Sequence, residues 1–295
     1  MSFPALPRGA AYLTLSNPAR RNALSLHVLQ DLKSQLIKFN TSKDGELLLL
    51  PRRLPQLRTE IPEWLRSTSR WRELRGHLPK VLVLRSEGKV FSSGHDLKEM
   101  KEHGRAATEQ TFSLCAEVMS MMRACPLPIV CPIQGLATAA GFQLAMCTDY
   151  PIATADTLFQ LPGMTIGLPC TSPSTAVARR VPPAVAYRMF MTGEALRADA
   201  LQGAVDTVRV PEHAESTDTR SKAFEQRVEQ VVERLISLPA QPQAFGKWAF
   251  WTQLAIKDGS EFDWSGKLMV AHSAGEDAKD GISAFLEKRK PEFQT

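Results

Sequence analysis

Residues 128–154, PIVCPIQGLATAAGFQLAMCTDYPIAT, decide the fold class of this chain. The apolar run from Ile129 to Ile133 predicts a buried strand, and small residues lead from it into a helix expected from about Ala140 to Cys147. A further strand is predicted from Tyr150 to Thr154. Because strand, turn, helix and strand alternate here, the stretch is typical of an α/β domain built on parallel strands.

The same alternation extends toward the N-terminus. Ala11 to Ser16 alternates like a short strand, and Ser25 suits the N-cap of a helix with leucines at helical spacing. Val81 to Leu84 predicts a buried strand. The turn Phe91-Ser-Ser-Gly-His-Asp96 follows it, and a helix is expected around Thr108 to Ala124.

The C-terminal third has a different pattern. From Ser174 onward the sequence is almost wholly helical to Lys290, and it contains an aromatic cluster at 245–251. We therefore predict a core over residues 1–195 and a helical region over 196–295 that serves packing or oligomerisation.

Residues 44–80 interrupt the alternation with four prolines. The stretch 45–80 holds eight Lys and Arg but only four Glu, which accounts for most of the formal net charge of +5. We predict an irregular surface insertion whose charges face water and whose deletion leaves a folded oligomer. Because Trp64 and Trp71 lie among these cations, RNA binding is the alternative.

Composition excludes several classes of protein. The 295 residues are 43% hydrophobic and 23% charged, as in globular domains. No apolar run approaches the roughly 18 residues of a membrane span. Five cysteines without a C-x-x-C motif indicate reduced thiols in an intracellular compartment, and no metal site is legible.

Two strand-to-helix turns, Ser93 to Asp96 and Ala139 to Gly141, carry the candidate chemistry. The first N–H groups of a helix have no partner within the helix, so each turn offers donors to an anion. If the two turns lie side by side, the backbone N–H groups of His95 and Ala140 would stabilise the oxyanion that forms when a thioester becomes an enolate.

Four motifs resemble the crotonase (enoyl-CoA hydratase/isomerase) superfamily, and they occur in the order of that family. They are Asn17-Pro-x-x-x-Asn22-Ala-Leu, Phe91-Ser-Ser-Gly-His-Asp-Leu-Lys-Glu-Met100, Gly135-Leu-Ala-x-x-Ala-Gly141 and Gly281-Ile-x-Ala-Phe-Leu-Glu-Lys-Arg-Lys-Pro291. The resemblance implies a spiral of ββα units, a homotrimer or homohexamer, and an acyl-CoA ligand from lipid metabolism. It also implies a mitochondrial location, although residues 1–8 lack the pattern of a presequence.

The resemblance also implies roles for individual residues. His95 and Ala140 take the positions of the two oxyanion-hole donors, as the turns had indicated. The CoA part of the ligand would be contacted by Arg21, Lys98, Phe285 and Lys288, the last two reaching a neighbouring subunit. No metal or cofactor is implied beyond the coenzyme A of the thioester.

Both glutamates of the hydratase pattern are missing. Gln143 and Gly163 stand at their positions. The amide of glutamine has no useful proton affinity and glycine has no functional group, so neither residue can act as an acid or a base toward water or the α-carbon. Hydration by the family mechanism is therefore not expected. Restoring both carboxylates by Gln143→Glu with Gly163→Glu is expected to raise it.

Other side chains could take the place of the missing glutamates. His95 is a candidate base. Cys170 is better interpreted as a buried small hydrophobe than as a nucleophile. Asp96 and Asp149 are expected to cap backbone donors, and Thr138 to bond either the substrate or its own turn. Leu161 replaces a glutamine that one branch of the superfamily uses to bind bicarbonate. An enzyme of unidentified acid–base chemistry and a non-catalytic acyl-CoA-binding pseudoenzyme both remain open.

Overall fold

The computed structural model describes residues 3–51, 61–201, 203–209, 217–256 and 259–295. Its strands, in chain order, are β1 (Ala10–Leu15), β2 (Val81–Ser86), β3 (Ile129–Ile133), β4 (Leu136–Thr138), β5 (Tyr150–Thr154), β6 (Leu158–Gln160), β7 (Ala195–Arg197) and β8 (Asp206–Val208). Its helices are α1 (Leu26–Asn40), α2 (Glu63–Arg66), α3 (Thr68–Arg75), α4 (Leu97–Ala124), α5 (Ala140–Cys147), α6 (Thr171–Val177), α7 (Pro183–Thr192), α8 (Thr217–Ile236), α9 (Ala240–Gln253), α10 (Glu261–Ser273) and α11 (Glu276–Glu287).

The main sheet has the strand order β1-β2-β3-β5-β8, and every neighbouring pair in it is parallel. All six residues of β2 are buried, as the run of aliphatic residues predicted for a strand covered on both faces. The predicted bounds of β3 and β5 are those observed, and β1 differs from its prediction by one residue at each end.

A second, smaller sheet turns the chain into a spiral. It pairs β4 with β6 in parallel and β6 with β7 antiparallel. Isolated bridges continue it, from Ala137 to Ser92 and from His95 to Leu24. Strands β1, β2, β3 and β5 are thus each followed by a short segment in the second sheet and then by a helix. This repeat is the spiral of ββα units that the family resemblance implied.

Helices cover both faces of the main sheet. The largest apolar cluster joins one face to α1, α4 and α5, and includes Leu13, Leu84, Phe91 and Phe142. On the other face, Val83 and Val130 pack against Phe224 and Val228 of α8. The strands are therefore fixed from both sides, and the turns that follow them are held by a rigid scaffold.

The start of α1 follows the capping chemistry expected from the sequence. The Ser25 side chain accepts a hydrogen bond from the N–H of Val28, which confirms it as the N-cap of α1. Helix α4 begins at Leu97, eleven residues before the predicted start at Thr108, and is broken at Gly104. Its first turns are rich in charge and lack an apolar stripe, so periodicity did not reveal them.

The insertion is not an irregular surface loop. Residues 52–60, which include three of its cations, lie outside the described part of the chain. The rest forms α2 and α3, and its Leu48, Trp64 and Trp71 pack with Phe245 and Trp248 of α9 in a separate apolar cluster. The prediction of a surface insertion with solvated charges is wrong here, because its apolar residues face the C-terminal helices.

Strands β4, β6, β7 and β8 were not predicted, because each is only three residues long and too short to show an alternating pattern. Strand β8 lies beyond residue 195 yet completes the main sheet beside β5. Where the core ends along the chain therefore stays a prediction. Among the described residues, no helix is long and apolar enough to cross a membrane, and no group of three or more metal-binding side chains occurs.

Candidate functional site

The two turns singled out in the sequence lie against each other. Ser92 bridges to β4: its N–H donates to the carbonyl of Leu136 at 3.2 Å, and its carbonyl accepts from the N–H of Thr138 at 3.0 Å. The second sheet therefore brings the segment after β2 alongside the segment after β3. Both segments then enter helices, α4 and α5, at the same edge of the molecule.

Two glycines let these backbones approach. A Cβ placed on Gly94 would lie 2.9 Å from the Cβ of Ala139 and 3.4 Å from the nitrogen of Ala140. A Cβ on Gly141 would lie 2.6 Å from the Cβ of Ser92. Since real Cβ contacts are essentially never that short, only glycine fits at either position, and each glycine sits against the opposite turn. The expected pairing of the turns is therefore confirmed.

The entry to α5 is strained. Ala139 has φ +49° and ψ −122°, a conformation that residues with a Cβ rarely adopt and that costs on the order of 1–3 kcal/mol. Ala140, the first residue of α5, is fully buried. Among the described residues, the backbone N–H groups of His95 and Ala140 donate to no acceptor. Two free N–H groups in adjoining turns form a site for an electron-rich oxygen.

A buried asparagine fixes the first turn from the side of the N-terminal loop. The Asn22 side chain donates to the carbonyls of Glu87 at 2.7 Å and Val90 at 2.8 Å. The backbone carbonyl of Asn22 accepts from the Ser92 hydroxyl at 2.8 Å, and that hydroxyl accepts from the N–H of Gly94 at 3.3 Å. Asn22 is part of the N-terminal motif, but nothing in that motif indicates that its side chain and backbone hold these two segments together.

Asp96 caps α4, as predicted. Its carboxylate accepts from the N–H of Glu99 at 3.1 Å and also pairs with Arg20 at 2.9 Å. The Arg20 pair was not expected from the sequence. Arg21 lies beside it with an exposed side chain, and its carbonyl accepts from the N–H of Ser93 at 3.0 Å.

The imidazole of His95 packs edge-on against Phe112 of α4, with 4.7 Å between ring centres. Burial lowers the pKa of His95, so the ring is neutral at pH 7. Among the described residues, neither ring nitrogen has a hydrogen-bond partner, and neither does the buried hydroxyl of Thr138. Of the two alternatives for Thr138, a bond to its own turn is not found among the described residues. These three polar atoms lie beside the two turns but have almost no accessible surface, so a bound molecule reaches them only if neighbouring groups move.

The two positions of the missing glutamates differ in their surroundings. Gln143 is buried on α5, and its side-chain oxygen lies 3.5 Å from the Ser172 hydroxyl. The space around Gly163 is filled by neighbouring atoms of residues 168 and 170. A Cβ there would lie 2.0 Å from the carbonyl oxygen of Leu168 and 2.9 Å from the sulfur of Cys170. A glutamate at 163 therefore has no room in this conformation, and the structure gives no support to the expectation that Gly163→Glu helps restore hydration.

Other weighed candidates have structural roles. Cys170 is buried, its sulfur accepts from the N–H of Gly163 at 3.3 Å, and burial raises its pKa, all of which supports the small-hydrophobe interpretation. Asp149 accepts from the N–H of Ile129 at 2.8 Å as expected, but it also pairs with Lys247 of α9 at 2.7 Å. Leu161 is fully buried in the main cluster.

The residues implied to contact CoA fall into two groups. Lys98 lies in the first turn of α4, exposed, with a loose pair to Glu102 at 3.7 Å. It is therefore close to the turn of His95. Phe285, 82% exposed, and Lys288 lie at the end of α11. Helix α11 packs against α10, and among the described residues neither side chain bonds to the two turns; the role of Phe285 and Lys288 in a neighbouring subunit stays a prediction.

Comparison with known proteins agrees with this geometry. The sequence matches the enoyl-CoA hydratase/isomerase family over residues 72–295. It is 34% identical over 285 residues to the mouse protein named "Enoyl-CoA hydratase domain-containing protein 3, mitochondrial", covering 96% of this chain and 81% of that one. The crystal structure of the human protein of that name superposes with a TM-score of 0.73 at 32% identity and covers 98% of both chains. An enoyl-CoA hydratase from Mycobacterium smegmatis gives a TM-score of 0.78 at 30% identity, over 99% of this chain and 98% of that one. The chain belongs to the enoyl-CoA hydratase/isomerase, or crotonase, family.

Proposed function

We propose that this protein binds acyl-CoA thioesters and places the thioester carbonyl oxygen between the backbone N–H groups of His95 and Ala140. The observation that carries the proposal is the contact between the two turns through Gly94 and Gly141. Both N–H groups are without an acceptor among the described residues. Donors fixed by a rigid backbone cost no reorganisation when charge develops on the oxygen.

The chemistry that such a site favours is enolate formation. Withdrawing electron density into the oxygen acidifies the α-carbon, and the N-terminal end of α5 adds its partial positive charge. The strained Ala139 fits this role, because its conformation turns the chain sharply into α5. A ligand oxygen that accepts hydrogen bonds from the N–H groups of His95 and Ala140 would bind between the two turns.

Proton transfer is the open part of the proposal. Gln143 can orient a water but cannot deprotonate it, and the chain around Gly163 leaves no space for an acid. This closure favours the second candidate, an acyl-CoA-binding pseudoenzyme. The neutral imidazole of His95 is the remaining candidate base, but both ring nitrogens are buried, so this role needs a movement that exposes one of them. An enzyme using His95 and a non-catalytic binder differ in whether a thioester is consumed.

The exposed apolar side chains of α10 and α11 support assembly into a homotrimer or homohexamer. Phe262, Met269, Val270 and Phe285 are each at least 69% exposed. Relatives named as mitochondrial support the same location for this protein, with a role in lipid metabolism. Nucleic acid is not proposed as a partner, because Trp64 and Trp71 are buried and cannot stack on bases.

Mass spectrometry of incubations with a panel of acyl- and enoyl-CoA esters tests the proposal, together with calorimetry for binding. We expect measurable heat with acetyl-CoA and crotonyl-CoA. Any product separates the enzyme from the pseudoenzyme and gives the reaction class. Absence of both heat and a thermal shift at millimolar ligand would refute acyl-CoA binding altogether.

A further inference from the structure

Gln143 is a buried polar side chain that proton transfer leaves without a role. The residue is 7% exposed, and its N–H donates to the carbonyl of Ala139 at 3.1 Å, so it lies one regular turn beyond the entry to α5. Residues three apart share a face of a helix, and their side chains lean toward its N-terminus. Because three residues rise only about 4.5 Å along the axis, the Gln143 side chain extends over the turn that carries the free N–H of Ala140.

The hydroxyl of Ser172, the second residue of α6, orients the Gln143 amide. It donates to Oε1 of Gln143 at 3.5 Å, which leaves the Nε2 end of the amide pointing away from Ser172. Nε2 donates to no acceptor among the described residues. It also keeps accessible surface, unlike the enclosed unpaired atoms of His95 and Thr138. The amide therefore offers N–H donors that a bound molecule can reach.

The surroundings of this amide favour a neutral acceptor. Among the described residues, no cation bonds to Gln143 or Ser172. Burying a carboxylate there would remove its hydration without supplying an opposite charge, whereas a carbonyl oxygen needs only the hydrogen bond that the amide offers. The glycine at position 163 contributes no side chain, so Gln143 is the one polar side chain at the two positions of the missing glutamates.

We propose that Gln143 selects thioesters with a carbonyl oxygen on C3 of the acyl chain, the 3-oxoacyl-CoA esters, and that Ser172 is a positioning residue for its amide. This inference rests on the proposed function, because the thioester oxygen must lie at the N–H groups of His95 and Ala140 for C3 to face Gln143. C3 is separated from the thioester carbon by the α-carbon alone, as Gln143 is separated from Ala140 by one helical turn. An acyl group without that oxygen leaves a buried donor unpaired, which is an effective source of discrimination between ligands.

Calorimetry of the full chain with acetoacetyl-CoA and butyryl-CoA tests the proposal, because the two acyl groups have the same length and differ in the oxygen on C3. We expect the parent to bind acetoacetyl-CoA at least about tenfold more tightly. Gln143→Met keeps the length of the side chain but removes the donor, and it should bring the ratio of affinities to about one by weakening acetoacetyl-CoA. Retained binding of butyryl-CoA shows that this variant is folded.

Ser172→Ala should lower the ratio less than Gln143→Met does, because the amide remains and loses only its orientation; an unchanged ratio would remove Ser172 from the proposal. Thr175→Ala, at an exposed position of α6, is the matched control and should keep the ratio of the parent.

Equal affinities of the parent for the two ligands, or a ratio that Gln143→Met leaves unchanged, would overturn the selection by Gln143 while the proposed function stands. Malonyl-CoA binding more tightly than acetoacetyl-CoA would overturn the assignment of a neutral carbonyl. Absence of heat with every one of these esters would overturn both this inference and the proposed function.

Discussion

Substitution of Gly163 by alanine should destabilise the protein by about 3 kcal/mol, the upper end of the usual cost of overpacking. The added Cβ would lie 2.0 Å from the carbonyl oxygen of Leu168, where ordinary contacts begin near 3.4 Å. The obstacle is backbone, and it is held in place because the N–H of Leu168 donates to the carbonyl of Gly163 at 2.9 Å. Relief therefore requires the whole turn to move.

Urea denaturation at fixed protein concentration measures this cost as a change in the free energy of unfolding. Gly167→Ala is the matched control, because Gly167 has φ +71° but nothing within 4 Å of a Cβ. It should lose only the cost of left-handed backbone, about 1–2 kcal/mol. If Gly163→Ala is no more destabilising than Gly167→Ala, the turn is open and the reasoning is wrong.

The same geometry changes what restoring glutamates can achieve. The double change Gln143→Glu with Gly163→Glu should lower stability and leave crotonyl-CoA hydration no faster than in the parent. Gln143→Glu alone should fold, since the side chain keeps its length, but it supplies only one of two carboxylates. Hydration at rates ordinary for an enzyme, around 10 per second, by the double variant would contradict the closed turn.

Three further outcomes are expected. Trp71→Ala should cost about 3–5 kcal/mol in urea denaturation, whereas Arg70→Ala at the exposed neighbouring position should cost less than about 1 kcal/mol; equal values would mean that the insertion is not part of a core. Burial lowers the folded-state pKa of both His95 and His272, so the unfolded chain binds more protons and stability should fall as pH drops below about 6.5. Replacing both histidines by glutamine should flatten that pH dependence, and an unchanged profile would refute the assignment. Lys288→Glu should weaken CoA binding by roughly 1–3 kcal/mol in calorimetry while Lys288→Arg retains it, and equal affinities would remove Lys288 from the site.

The parts of the fold that sequence predicted well are those whose signal is local. The apolar runs of β3 and β5 and the small residues at the start of α5 have the expected bounds, because burial on both faces leaves little choice of residue. The pairing of the two turns was also expected. Its details depend on tertiary contacts, such as the clamp of Asn22 on Ser92, that no local pattern encodes.

The insertion shows where sequence reasoning failed. Prolines and arginines indicated a solvated loop, yet Trp64 and Trp71 are buried against Trp248, more than 170 residues away in the chain. A sequence in which an aromatic residue lies among charged residues does not show whether that residue is exposed to solvent or packs against a distant helix. The closure around Gly163 is a similar case, because the carbonyl of Leu168 that fills the space is backbone and leaves no trace in residue type.

The central claim is that two backbone N–H groups polarise a bound thioester carbonyl. Infrared difference spectroscopy of acetyl-CoA labelled with ¹³C at the carbonyl measures this directly, since hydrogen bonding to the oxygen lowers the stretching frequency whether or not the ligand is consumed. We expect the band to move to lower frequency on binding, and a thioether analogue of acetyl-CoA that lacks the carbonyl to bind more weakly. A carbonyl band at its solution frequency in a saturated complex would contradict the account.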